Sequence, residues 1–97
     1  AIPDLSALGY RLVGGRLVPV GGQAGAMLMY EDKGGERITV LIGRNDGNRT
    51  TSFRYMSEGA VETFYWIDGA IGYAVTGEVS RETLQAIADA CYKQFDS

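Results

Sequence analysis

The tightest constraint in this chain is the stretch from Val61 to Phe95. Two runs of alternating apolar residues meet there at an Asp-Gly pair and lead directly into a capped helical pattern. Val61–Asp68 and Ile71–Val79 carry the period of two that a pleated strand requires. Asp68-Gly69 between them predicts a hairpin, because both central residues of a type I′ turn need positive φ. Ser80 is then a good N-cap, since its hydroxyl can accept a bond from a first-turn amide. Glu82 sits near the positive end of the helix dipole, and Val79 and Leu84 take the two positions of a hydrophobic staple. Leu84, Ile87, Ala88, Cys91 and Phe95 recur at helical spacing as one apolar stripe, so one face of this helix must pack on a sheet.

The rest of the chain supplies that sheet. Residues 3–8 predict a short helical turn ending at Gly9, and Tyr10 to Val20 reads as β. Gly14-Gly15 interrupts that run, marking either a bend in one long strand or the turn of a hairpin. The bend is favoured because each hairpin arm would be very short. Gly21-Gly22 precedes a second strand, Ala24 to Glu31, and Asp32-Lys33-Gly34-Gly35 turns into a third, Arg37 to Gly43. Residues 43–50 are the most polar stretch and are expected to form a mobile loop. Thr51 to Ser57 is the expected fourth strand, with Phe53 and Tyr55 on one face, and Glu58-Gly59 turns into Val61. The expected fold is therefore α+β: an antiparallel sheet of about six strands, a short N-terminal helical turn, and one C-terminal helix packed on the sheet.

Ninety-seven residues make one domain, long enough to bury roughly 60–65% of the unfolded surface without a metal or disulfide. The net charge is −3, and the arginines are dispersed among acids, which argues against nucleic acid and against an anionic membrane surface. The chain has no histidine, which excludes a Ser-His-Asp triad, a Cys-His pair and histidine metal sites within it. Cys91 lies on the helix stripe and reads as a packing residue; alone, it leaves the redox compartment open. The turn acids read as solvated residues, and Glu62 and Glu78 could face one another across the last hairpin, but nothing marks them as an acid–base pair. Asn45-Asp46-Gly47-Asn48 lacks the spacing of a calcium loop, and Asn48-Arg49-Thr50 fits the glycosylation sequon. No cofactor is expected. No apolar run approaches the ~20 residues of a membrane helix, and a start at Ala1 suits a processed protein or an excised fragment.

Phe64-Tyr65-Trp66 places aromatics on both faces of one strand. With Tyr65 and Ile67 beneath the helix, Phe64 and Trp66 would lie on the opposite face. Together with Phe53 and Tyr55 they form the candidate interaction surface, against the alternative of a two-sided core or self-association as a homodimer. In the last strand, Ile71, Tyr73, Val75 and Val79 share a face, while Gly72, Ala74 and Thr76 leave room on the other for something bulky.

The stretch from Trp66 to Leu84 has a Trp, an acidic-Gly turn, a Tyr strand, a Gly and a Ser-led helix in order. Gly9-Tyr10-Arg11-Leu12-Val13-Gly14-Gly15-Arg16-Leu17 and Leu28-Met29-Tyr30-Glu31-Asp32 precede it. This ordered set resembles the extracytoplasmic domain of bacterial membrane-spanning anti-sigma factors, over most of the chain. The matching positions are Gly9, Gly15, Tyr30, Trp66, Gly69, Tyr73, Gly77 and Ser80, a structural motif without catalytic residues. The resemblance implies a periplasmic sensory or protein-interaction domain of an inner-membrane protein, whose partner is an envelope protein or a signal ligand. A sigma factor would be bound only through a cytoplasmic segment that this chain lacks. The second reading is a free-standing carrier of a small molecule or lipid, with an enzyme third.

Overall fold

Two three-stranded antiparallel meanders join edge to edge in one sheet. The computed structural model describes residues 2–45 and 50–95. A 3-10 turn at Ser6–Leu8 leads into β1 (Arg11–Val20), β2 (Gln23–Glu31) and β3 (Arg37–Arg44). The second meander is β4 (Arg54–Glu58), β5 (Val61–Asp68) and β6 (Ile71–Gly77), followed by helix α1 (Arg81–Phe95). The strand order is β1-β2-β3-β6-β5-β4, so β3 and β6 form the centre and β1 and β4 the edges. The expected α+β architecture, with its N-terminal turn and C-terminal helix, is the one observed.

Gly14-Gly15 is a bend. The β1–β2 register slips between Leu12 and Gly14, and β1 continues as one strand to Val20. The last hairpin forms, but with a different loop from the one expected. Asp68 pairs with Ile71, so Gly69 and Ala70 are the two loop residues, and Gly69 takes φ 64°. A glycine at the first loop position accepts that positive φ without a Cβ penalty. The fourth strand is shorter than expected. Thr51 exchanges hydrogen bonds with Ile67 (Thr51 N to Ile67 O, 2.8 Å; Ile67 N to Thr51 Oγ1, 3.1 Å), but ladder pairing starts only at Arg54. β6 likewise stops at Gly77, two residues before the expected end at Val79. Of the expected polar loop, Gly43 and Arg44 belong to β3, while 46–49 lie outside the described residues.

Helix α1 is capped as the sequence requires. The Thr83 amide donates to Ser80 Oγ at 3.1 Å, and the Leu84 amide to Ser80 O at 2.9 Å. Its buried side chains are Leu84, Ile87, Ala88 and Cys91. They close over Phe64 and Trp66 of β5 and Val75 of β6, with Leu28, Tyr30, Ile38 and Val40 completing the core. A helix about 10 Å wide cannot cover six strands spaced about 4.8 Å apart. The N-terminal segment contributes the rest, with Pro3, Leu5 and Tyr10 buried on the same core. Its hold is polar: Tyr30 OH donates to Pro3 O at 2.7 Å in a buried bond.

Phe64 and Trp66 are therefore interior residues, 4% and 1% exposed, whereas Tyr65 is 39% exposed on the other face. The face assignment expected for this strand is reversed. Phe64 pairs with Val75 and Trp66 with Tyr73, and cross-strand partners share a face, so the helix side of β6 takes both aromatics with it. Phe53 joins them, its ring 4.8 Å from Trp66, and Tyr73 stacks between Trp66 (5.2 Å) and Phe95 (4.5 Å).

Candidate binding face

The side of the sheet away from α1 has no element of the described chain packed across it. Its composition follows from the register. One row crosses all six strands as Arg16, Met27, Leu41, Ala74, Tyr65 and Arg54. The row beside it is Gly14, Met29, Thr39, Thr76, Thr63 and Met56, with Thr63 and Thr76 hydroxyls 3.1 Å apart. The third row runs Val18, Gly25, Gly43, Gly72 and Ile67.

Missing side chains in that third row open a trough of about 250 Å³, floored by Gly43, Gly72 and Ala74 and walled by Val20, Leu41, Tyr65 and Ile67. Val20 already occupies one end. A Cβ on Gly43 would meet Val20 Cγ1 at 2.8 Å, whereas one on Gly72 would meet only Gly43 O at an ordinary 3.8 Å. This is the room expected opposite the Tyr73 face. It is open to solvent and lined mainly by carbon.

Charge on this face is not balanced. At one end Glu31 holds Arg37 (Nε to Oε2, 2.8 Å) and Arg11 (3.8 Å). Arg16 and Arg54, at the two ends of the first row, make no ion pair among the described residues. The face therefore carries Arg11, Arg16, Arg37 and Arg54 against Glu31 and Glu58, on a chain of net charge −3.

The four aromatics expected to form a surface are split by the fold. Phe64 and Trp66 are core, Phe53 packs against the core, and only Tyr55 remains exposed, on the helix side at the β4 edge. There Glu62 accepts hydrogen bonds from Ser57 Oγ and Tyr55 OH, and Arg81 lies 4.2 Å over the Tyr55 ring. Those two donors hold the Glu62 carboxyl below its ordinary range, Ser57 foremost, and the bond to Glu62 raises the Tyr55 phenol. Glu62 faces Gly77 across the hairpin, so it does not meet Glu78 as the sequence suggested. Sequence reasoning missed Met27, Met29, Leu41, Tyr65 and Ile67 as a shared surface; the signal was present in the alternation of β2, β3 and β5.

The eight motif positions all have structural duties. Gly9 caps the N-terminal turn, Gly15 follows the bulge, Gly69 opens the last hairpin loop and Gly77 ends β6. Tyr30, Trp66 and Tyr73 build or border the core, and Ser80 caps α1. Among the described residues no group of three His, Cys, Asp or Glu is placed to hold a metal ion, and no helix is long and apolar enough to cross a membrane. The calcium-loop and sequon residues 46–49 lie outside the described residues. Comparison of the chain with protein-family models, with curated proteins and with solved structures gave no match.

Proposed function

We propose that this chain is a periplasmic sensory or protein-interaction domain of a membrane-spanning anti-sigma factor that regulates an extracytoplasmic-function sigma factor. The reading starts from the ordered motif between Gly9 and Ser80, whose members are structural in this fold. The observation that carries the interaction half is the sheet face left without a covering element, with an apolar trough walled by Tyr65 and Leu41 beside a row of threonines. A domain with one covered and one open sheet face is suited to present that open face to a partner. The sigma factor would be held by a separate cytoplasmic segment. Sequencing the gene upstream of the Ala1 codon tests this: an apolar span of about 20 residues is expected shortly before it. Absence of that span overturns the anti-sigma reading.

The trough favours one second reading, a carrier of a small molecule or lipid. Its lining is apolar, and its volume of about 250 Å³ falls just below the roughly 300–1,000 Å³ of ordinary ligand pockets, which suits only a small ligand. Native mass spectrometry of the purified chain would then show a co-purified ligand, and a bare mass would count against it.

A further inference from the structure

The row Arg16–Met27–Leu41–Ala74–Tyr65–Arg54 has an apolar middle and a cation at each end, one on each edge strand. Both guanidinium groups lack an anionic partner among the described residues, while Arg11 and Arg37 on the same face are already engaged by Glu31. We propose that this row docks an acidic amphipathic segment of another protein, with carboxylates reaching Arg16 and Arg54 and apolar side chains over Leu41, Ala74 and Tyr65. The proposal deepens the interaction half of the proposed function and is independent of the anti-sigma assignment.

The geometry sets the length of that segment. Five interstrand steps of about 4.8 Å separate the two arginine backbones by about 24 Å. A helix rising about 1.5 Å per residue covers that in about 16 residues. The small Ala74 at the centre and the neighbouring Gly72 let an incoming side chain reach the sheet between Leu41 and Tyr65.

Charge decides between occupants. A second copy placed face to face would bring two net-positive faces together, and like charges across an interface oppose binding. An anionic bilayer is held by clusters of about four to eight basic side chains, whereas Arg11 and Arg37 are engaged by Glu31 and only two arginines of this face are left for an outside anion. An acidic protein segment satisfies both arginines and the apolar middle at once.

The test uses the whole chain and two synthetic 18-residue helical peptides sharing one leucine face, one with glutamates in its first and last turns and one with lysines there. Fluorescence anisotropy at low salt is expected to give at least tenfold tighter binding of the glutamate peptide. In the Arg16→Glu/Arg54→Glu variant the preference should reverse; both residues are exposed, and circular dichroism checks that the fold is kept. Amide shifts on titration should concentrate at Met27, Leu41, Ala74 and Tyr65. Equal binding of the two peptides, no binding, shifts confined to the helix side around Leu17 and Ile71, or an unchanged preference in the variant each overturns the proposal. So does tighter binding to phosphatidylglycerol vesicles, or a dimer by sedimentation that Tyr65→Asp abolishes. Failure to find an upstream membrane span would remove the anti-sigma reading and leave these results standing.

Discussion

Gln94 and Asp4, 90 positions apart, exchange two hydrogen bonds: the Asp4 amide donates to Gln94 Oε1 at 2.7 Å, and Gln94 Nε2 donates to Asp4 O at 2.8 Å. The pair ties the first residues of the chain to the last turn of α1. It closes the segment carrying Pro3 and Leu5 over the core beside the helix. Both bonds are exposed, so each contributes at the low end of the usual range. Gln94→Ala is expected to lower unfolding free energy by about 1 kcal/mol. Amide exchange at Ser6, Leu8 and Tyr10 should accelerate more than exchange in β3, measured by hydrogen–deuterium exchange.

Trp66 sits at the centre of the aromatic group, 1% exposed and within 4.8 Å of Phe53 and 5.2 Å of Tyr73. Trp66→Ala should cost about 3–5 kcal/mol by leaving a cavity. That is a large part of the roughly 5–15 kcal/mol expected of such a domain. Urea unfolding should show it. A variant of unchanged stability would return Trp66 to the surface.

Gly43 and Gly72 are neighbours across the β3–β6 ladder with opposite tolerances. Gly43→Val must displace Val20 and should destabilise by about 1–3 kcal/mol. Gly72→Val has room and adds strand propensity, so thermal unfolding should change by less than about 1 kcal/mol. It also fills the trough. If the chain carries a ligand there, native mass spectrometry of Gly72→Val should show it lost from a folded protein.

Burial pushes the Cys91 thiol and the Tyr30 phenol each up to about 12, and it raises Tyr10 as well. The unfolded chain releases these protons at lower pH, near 9 for the thiol and 10 for a phenol. Stability from keeping them neutral is therefore fully present below pH 9 and is lost as pH rises toward 12. Melting temperature should fall steadily above pH 9. The fall should begin later in Cys91→Ala, and Cys91 should resist iodoacetamide at pH 8 until denaturant is added.

Ser80→Ala removes the side-chain acceptor of the Thr83 amide and is expected to cost about 1 kcal/mol. Ser80→Asp should recover most of it, by equilibrium urea unfolding, because a carboxylate can accept the same bond and suits the helix dipole.

Much of this architecture is legible without coordinates, because it is local. Ser80 and the Leu84–Phe95 stripe define a helix by themselves, and the Gly14-Gly15 bend is readable since two short arms could not stand as a hairpin. The faces of β5 were also within reach. Whether Asp68-Gly69 or Gly69-Ala70 forms a two-residue loop, the register changes by two, so Phe64 and Trp66 stay on the face of Tyr73 and Val75. The Val79–Leu84 staple ties that face to the helix. β5 by itself does not show this, since both of its faces carry aromatic side chains.

The sequence by itself determined the six-strand pattern, the capped helix and the lack of histidine chemistry, because periodicity, caps and composition act within a few residues. Only the tertiary structure decided that β3 pairs with β6, joining two local meanders whose order no nearby residue specifies. That single pairing places Leu41 beside Ala74. It aligns Arg16, on one edge strand, with Arg54 on the other. An open face built from residues of all six strands exists only once that long-range contact is made, which is why it could not be read from any one segment.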